Sequence, residues 1–427
     1  MKVLLVGSGA REHAIGWKLQ QSPKPTDLIV APGNAGMRTL GETVDIAASD
    51  VDGMVALAKE RRVELVVVGP EDPLARGLVD RLSAEGIPAF GPTQTAAQIE
   101  SSKAFSKDLM LRHGIPTADA RTFSNRTDAR NYIESMGERP VVVKADGLAA
   151  GKGVFMCDTR EGALAAIEQM MGEAAIFGKS GGTVVIEERL SGREVSAMAF
   201  TDGLTVAPLP FSCDYKRVRD GDDGPNTGGM GAYSPPPWLD ETHEVFINER
   251  ITEAAVTAMR EEGTPYRGAL YPGCMVTAEG PKTIEFNCRL GDPEAQVLLP
   301  RLKSDFLEIC LAVVNGRLSE AEIEWSTDAA VGVVMASGGY PGDYSTGYPI
   351  AGLDTLEEDV LVFHAGTKVE DEGRVVTNGG RVLTVVASGA SLAEARAKAY
   401  RNVQRIHFTQ AQYRRDIAAP SENARVE

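Results

Sequence analysis

The sequence predicts a multidomain protein of mixed α/β and α+β class that opens with a doubly wound parallel sheet. Three observations carry this. Up to about residue 100, short apolar strands alternate with helical stretches, the pattern of a parallel sheet with helices on its faces. The 427 residues allow about three domains at roughly 150 residues each. From about residue 190 the chain turns strand-rich, and from about residue 325 it holds three more strands and a closing helix.

In the first part the strands read KVLLVG, LIVAPG, ELVVVGP and PAFGP, with helical stretches such as DGMVALAKER between them. Three of them run into polar or glycine-rich turns, GSGARE at 7–12, APGNAG at 31–36 and GPEDP at 69–73. Ligands collect outside the carboxyl ends of strands in such sheets. Gly7-Ser8-Gly9 starts like a dinucleotide fingerprint, but Glu12 stands where the third glycine belongs, so a nicotinamide site is not expected. What remains is a tight turn feeding a helix N-terminus. Its free N–H groups and Arg11 suit a phosphate, though a plain strand-to-helix turn reads the same way.

AQIESSKAFSKDLMLRH, residues 97–113, predicts one helix, ended by Gly114 and Pro116. An αβ segment then runs to about residue 190: strand VVVKA (141–145), a glycine-rich turn, strand GVFMC, helix TREGALAAIEQMM and strand TVVIEE. The strand-rich stretch to about residue 325 is interrupted at 212–237 by a polar Gly/Pro loop with no predicted structure. The remainder holds VGVVMAS, VLVFHAG, RVLTVVAS and a helix from Ser391 to about Ile406.

Composition narrows the function. Apolar residues at 43% and charged residues at 24% fit an ordinary folded enzyme. A net charge of −16 argues against a nucleic-acid or membrane-surface partner and for small-molecule chemistry. The start, MKVLLVGSGAREHA, is too short in apolar residues for a signal-peptide core, and no run approaches 18 apolar residues; a cytoplasmic protein is expected. Five cysteines without a C-x-x-C pair point to buried reduced thiols. The five histidines are scattered and form no H-E-x-x-H, which argues against a histidine metal site.

Four stretches carry chemistry. In VVVKADGLAAGKGVFM, Lys144 ends an apolar strand and a small-residue loop presents Lys152 between Gly151 and Gly153. Such a loop lets the backbone approach a phosphate while the lysines supply charge; a hairpin with a solvated lysine is the competing reading. It is not a Walker loop, because glycine follows Lys152 where a hydroxyl is needed. TVVIEERLSGREVS puts Glu187 and Glu188 at a strand end and Glu194 beyond a turn, where free backbone groups and a carboxylate suit an adenine edge and ribose hydroxyls. DYKRVRDGDDGPNTGGMGAYSPPP, 214–237, mixes Asp214, Lys216, Arg217 and Arg219 with glycines at 228, 229 and 231; it reads as a clamp on an anionic substrate or as a disordered surface loop. In TIEFNCRLGDPEAQ, Glu285 and Asn287 share one strand face, with Ile284, Phe286 and Cys288 on the other. That is either a half-buried strand with a solvated face or a pair of oxygen ligands for a hard cation.

The blocks KADGLAAGKGV, GPNTGGMGAYSP, IEFNCRLGDPEAQ, GGYPGDY and TNGGRVL, together with GSGAREHA, resemble the glycinamide ribonucleotide synthetases, the phosphoribosylamine-glycine ligases of the ATP-grasp superfamily. The resemblance runs in order from Lys2 to the last helix. It implies a ribose-phosphate domain at 1–102, an ATP-grasp core at 103–327 with 123–189 as an inserted lid, and a C-terminal domain at 328–427. It implies ATP between lid and central sheet, bound by Lys103, Lys144, Gly151, Lys152, Gly153, Glu187, Glu188 and Leu190, with Glu194 on the ribose. Mg²⁺ or Mn²⁺ would sit on Glu285 and Asn287, which favours the cation reading of that strand. Asp214, Lys216 and Arg289 would be catalytic. Gly9, Arg11, Glu12, Asn34, Pro70, Glu71, Gly228, Gly229 and Met230 would bind the substrate.

The implied reaction joins glycine to 5-phosphoribosylamine at the expense of ATP, through glycyl phosphate, in a monomer; the alternative is another ATP-grasp ligase with a different carboxylate or amine. Against a nicotinamide dehydrogenase stands the missing third glycine, and a nucleotide sensor would not need the metal pair. The chain departs from the family at Ala10 for glycine, Arg189 for an aromatic and Leu290 for phenylalanine. ALYPGCMVT supplies no further acid, leaving two protein ligands for the cation.

Overall fold

The computed structural model describes residues 1–148, 153–172, 182–370 and 373–420. Five strands, β1 (Lys2–Gly7), β2 (Asp27–Pro32), β3 (Glu42–Thr43), β4 (Leu65–Val68) and β5 (Ala89–Phe90), form the first sheet. Their order is β3-β2-β1-β4-β5, and every pairing is parallel. The apolar runs explain this: Val3, Leu4, Leu5 and Val6 are fully buried, as strands covered by helices on both faces must be. Strand order reverses between β1 and β4, so the turns after β1, β2 and β4 open on one edge at a topological switch point.

The predicted helix over 97–113 is two helices, Gln98–Ser101 and Lys103–His113. Ser102 breaks it: its backbone is extended (φ −133, ψ 110) and its hydroxyl accepts from Phe105 N–H, capping the second helix at its own start. Asp146 adds to that cap by accepting from Ala104 N–H at 3.1 Å.

The lid sheet consists of β6 (Ala120–Phe123), β7 (Val141–Ala145), β8 (Val154–Cys157) and β9 (Val184–Glu188), ordered β6-β9-β7-β8 and antiparallel throughout. Helices Arg126–Met136 and Arg160–Met171 cover it, and Ile133, Val143, Ala163, Ile167 and Ile186 build a core separate from the rest. β6 and the helix Arg126–Met136 were not read from the sequence. ARTF carries an exposed Arg121 and Thr122, so β6 lacks an apolar run and is specified by its pairing with β9.

In the central sheet the long strand Gly268–Thr277 pairs with Gly192–Ser196 and Ala199–Thr201 on one side and with Gly280–Asn287 on the other. A β-bulge falls at Ile284: Glu285 faces Gly273 and Thr283 faces Cys274. Ile284 is therefore half-buried, not a core residue as the alternation predicts, while Phe286 and Cys288 are buried.

The last sheet is ordered Cys213–Asp214, Gly231–Ser234, Ala329–Ala336, Arg381–Gly389, Leu361–His364, with the helix Leu392–Val403 packed on it. Two of its strands come from residues before 327, so its hydrogen bonding crosses the expected boundary at 327/328. Those strands also correct the unstructured reading of 212–237. That stretch holds Cys213–Asp214, Gly231–Ser234 and a hairpin of Arg217–Arg219 with Asp223–Asn226. All five cysteines are free and buried, as their number and spacing predict. Among the described residues, no helix is long and apolar enough to cross a membrane.

Candidate active site

Sheet register builds the floor of the site. Ser196 and Glu285 both stand opposite Gly273, Glu194 stands opposite Met275, and Asn287 stands opposite Tyr271. Residues paired across strands, or two apart along one, share a face. Glu194, Ser196, Glu285 and Asn287 therefore lie on the same face of the central sheet, and Gly273 leaves the space between Ser196 and Glu285 free of a side chain.

Lysines approach this face from three elements. Lys144, on β7 of the lid, donates to Ile284 O at 3.1 Å, the carbonyl at the bulge. Its ammonium also pairs with Glu187 on β9 at 2.9 Å, and Glu187 lies 3.4 Å from Lys107 on the helix Lys103–His113. Lys103, one helical turn before Lys107, donates to Gly147 O at 2.9 Å. Burial lowers its pKa, opposed by Glu285. Lys216 pairs with Glu194 at 2.6 Å and lies 3.7 Å from Asp214; Asp214, Glu194 and Glu285 hold it well above the usual lysine range against its burial. Glu285 thus sits in the field of Lys103 and Lys216, yet its carboxylate has no hydrogen bond or ion pair among the described residues.

Beside Glu194 lies a buried polar chain that the sequence reading missed. Tyr271 donates to Glu294 at 2.6 Å, Ser196 donates to the same oxygen at 3.0 Å, and the two hydroxyls are 2.8 Å apart. Burial pushes Asp214 up to about 7, helped by Glu294 and Glu194 and opposed by Lys216. Lys107, Glu294, Tyr271 and Ser196 give no motif of their own. The one available signal is spacing, Lys107 standing four residues after Lys103 on the same helix.

A second group of charges lies under the turns of the first sheet. Arg289 pairs with Glu71 at 3.0 Å and Glu100 at 3.3 Å, and donates to Asn287 Oδ1 at 3.3 Å. It thereby connects the face of Glu285 and Asn287 to the N-terminal sheet. Arg289 and Arg11 hold the Glu71 carboxyl down to about 2 although burial opposes them. Pro70 is the N-cap of the short helix that begins with Glu71. Arg11 donates to Glu12 at 2.5 Å and to Leu290 O at 3.2 Å; its remaining terminal nitrogen has no protein partner among the described residues. Asp292, 2.7 Å from Arg381 of the last sheet, stands next to Gly9.

Several predicted substrate residues have their side chains committed to the protein. Glu12 accepts from Gly9 N–H at 2.6 Å, the glutamate half of a capping box, and fills the space between Gly7 and Gly69. Asn34 donates to Ser8 O at 2.8 Å and His364 O at 2.6 Å, and accepts from Gly36 and Met37 N–H; it stitches the second turn to the first and to the last sheet. Met230 is fully buried with both backbone groups hydrogen-bonded. Gly228 donates to the Tyr340 hydroxyl at 2.9 Å. Gly229 has φ +109 and its Cα faces Pro293 so closely that a Cβ would lie 2.4 Å from Cδ, so only glycine fits.

Of the expected nucleotide residues, Gly151 and Lys152 lie outside the described residues. Gly153 closes the β7–β8 hairpin by accepting from Ala145 N–H at 2.8 Å. Glu188 is exposed, 3.9 Å from Lys282, Leu190 is half-buried, and Arg189 pairs with Asp158 on the lid.

The comparisons with known proteins follow the same arrangement. Residues 1–100, 101–295 and 330–420 match the family models described as the phosphoribosylglycinamide synthetase N domain, ATP-grasp (A) domain and C domain. The chain is 51% identical over 422 residues to a phosphoribosylamine–glycine ligase of Allochromatium vinosum, with 98% of each covered. It is 50% identical over 422 residues to that of Escherichia coli O157:H7, again with 98% of each covered. The crystal structure of the Thermotoga maritima phosphoribosylamine–glycine ligase superposes with a TM-score of 0.86 at 35% identity, covering 98% of this chain and 100% of that one. A Campylobacter jejuni biotin carboxylase superposes with a TM-score of 0.75 at 17% identity, covering 98% and 94%, a likeness of fold alone.

Proposed function

The chain belongs to the phosphoribosylglycinamide synthetase family, and from that premise we infer that the convergent lysines and Glu285 are the working site of an ATP-dependent ligase. The enzyme joins glycine to 5-phosphoribosylamine and releases ADP and phosphate. The observation that carries the site is the carboxylate of Glu285, which has no hydrogen bond or ion pair among the described residues, lies in the field of Lys103 and Lys216, and shares a face with Asn287.

We propose Mg²⁺ or Mn²⁺ for that face. The donor set fits: a carboxylate and an amide oxygen are ligands of hard cations, and a cation bound beside phosphates takes the rest of its shell from them and from water. Among the described residues no cluster of three or more acids, histidines or cysteines exists to hold a metal alone. When bound, the cation neutralises charge on the transferring phosphoryl group.

The side chains support the following course. Lys103 and Lys144 hold the nucleotide phosphates, while Glu194 takes the ribose hydroxyls. A glycine carboxylate oxygen attacks the γ-phosphorus, ADP leaves, and glycyl phosphate forms. The amine of phosphoribosylamine attacks its carbonyl carbon, phosphate leaves, and the amine loses a proton. Asp214, pushed up to about 7 by burial, is matched to take that proton near neutral pH. Arg289 joins the sugar-phosphate turns to the cation face, and Arg11 and Glu71 border those turns; we propose that the phosphoribosyl group binds there and that the lid excludes water. We further propose domain limits of 1–102, 103–327 and 328–427 with the lid at 123–189, a cytoplasmic location and a monomer. ADP release with glycine against other amino acids, with and without phosphoribosylamine, tests the reading and disposes of a ligase for another carboxylate or amine. Equal release with alanine, or release indifferent to phosphoribosylamine, would overturn it.

A further inference from the structure

The hairpin Arg217–Arg219/Asp223–Asn226 has no core of its own. None of its residues is buried, and the turn Asp220–Asp222 is solvent-facing. A two-stranded hairpin without an apolar face is marginal in water. Its own bonds, Arg217 to Gly224 O at 2.7 Å and Arg219 to Asp223 at 2.7 Å, close it, but what anchors it to the rest of the protein comes from almost two hundred residues later in the chain. Arg414, whose side chain is 1% exposed, donates to Asp222 at 2.7 Å and to Arg217 O at 3.1 Å. The same guanidinium is fixed by Asp416 through two bonds of 2.8 and 2.7 Å. Asp416 accepts in turn from Gly221 N–H at 2.9 Å, Arg415 N–H donates to Asp220 at 2.7 Å, and Ala418 N–H donates to the Tyr215 hydroxyl at 2.9 Å. Above all, the Arg414 guanidinium stacks 4.6 Å over the ring of Tyr215, the residue between Asp214 and Lys216.

We propose that Arg414 is a positioning residue for the reaction: it clamps Tyr215 and the 217–226 hairpin, and so fixes where Asp214 and Lys216 stand against Glu194. This rests on the reading above that Asp214 and Lys216 work in the ligase site. The planar fork is what the task requires, since one group must face two carboxylates, a carbonyl and an aromatic ring together. A lysine reproduces the charge and one bond only.

The test uses the full-length enzyme. Trypsin cleaves after Lys216, Arg217 and Arg219, so nicking there reads the clamp without reference to activity. Arg414→Ala is expected to speed nicking at these bonds tenfold or more with no new cuts elsewhere, and to lower kcat by tenfold or more. Asp222→Asn, an exposed change that keeps a residue tolerant of the local positive φ of 54, is expected to move both in the same direction by about threefold. It carries the test if Arg414→Ala does not fold. Arg414→Lys should fall between Ala and wild type. Arg401→Ala, which removes a guanidinium that pairs with Glu357 and not with the hairpin or residues 414–418, should leave both readouts alone. Faster nicking with unchanged turnover, or new cuts throughout the chain in step with lost activity, would overturn the proposal. If wild-type enzyme released no ADP with glycine and phosphoribosylamine, the ligase reading would fail, and unchanged nicking in Arg414→Ala would separately exclude the clamp.

Discussion

The carboxylate of Glu187 lies 2.9 Å from the ammonium of Lys144, with both side chains almost sealed from solvent and Lys107 at 3.4 Å on the other side. A buried ion pair contributes little net stability over an apolar replacement, so this one is better explained by the role proposed for Lys144 at the nucleotide phosphates. Lys144→Met leaves Glu187 with the weaker partner and should cost on the order of 3 kcal/mol of stability. It should also raise KM for ATP tenfold or more. Adding Glu187→Gln should return only part of the stability, because buried Lys107 then loses its carboxylate as well, and none of the ATP affinity. Recovery of both in the double variant would assign the pair to packing alone.

Glu285→Gln keeps shape and loses the charge proposed to face the cation. Turnover should fall on the order of 10²-fold, the cost of removing one main electrostatic stabiliser, and the Mg²⁺ concentration for half activity should rise. Because Glu285 lies in the field of Lys103 and Lys216, the variant should unfold slightly earlier, by no more than about 1 kcal/mol. A Mg²⁺ titration of activity beside a thermal melt checks both. Wild-type Mg²⁺ dependence would return the strand to a solvated face.

Arg11→Ala removes the partner of the buried Glu12 and the bond to Leu290 O. KM for phosphoribosylamine should rise tenfold or more with KM for ATP within about twofold, and stability should fall by about 3 kcal/mol as Glu12 loses its countercharge. Arg11→Lys should recover the stability more than the KM, since it keeps charge without the fork. A variant impaired for ATP alone would move the phosphoribosyl site away from these turns.

His13 and His364 meet between the first helix and the last sheet, where His364 N–H donates to His13 Nδ1 at 2.8 Å. Burial lowers them to about 3 and about 4, with His364 adding to the shift of His13. Folded-state values below the unfolded one mean that the unfolded chain takes up protons first. Stability is therefore unaffected above pH 6.5 and is lost as pH falls from there toward 4, by up to about 1.4 kcal/mol per pH unit per histidine. Melting temperatures from pH 8 to 4 should show this decline, and His13→Asn should flatten part of it. An unchanged slope in the variant would place the acid lability elsewhere.

The local sequence determined most of the architecture. Val3 to Val6 could only be a strand covered on both faces, and Gly7, Pro32 and Pro70 mark where such strands end and ligands gather. The shared face of Glu285 and Asn287 followed from a period of two, and the register with Gly273 and Tyr271 agrees. Lys144 was visible because a charge that closes an apolar run has to be satisfied somewhere.

What the tertiary structure decided is of another kind. Turn residues and the bonds of Arg217 and Arg219 close the hairpin in DYKRVRDGDDGPN, but the bonds that fix it against the protein come from Arg414 to Ala418, and contacts at that separation leave no periodicity to read. The resemblance implied Glu12 and Asn34 as substrate residues, yet Glu12 is taken up by Gly9 and Arg11 within its own turn and Asn34 by joining the second turn to the first and to the last sheet. The bulge at Ile284 depends on the partner strand and on Lys144 taking the freed carbonyl. Lys107, Tyr271 and Glu294 came to lie beside the candidate site only when three separate elements were brought face to face. Side-chain period reports what one element buries, whereas an ionic site is assembled from whatever different elements present at their meeting point.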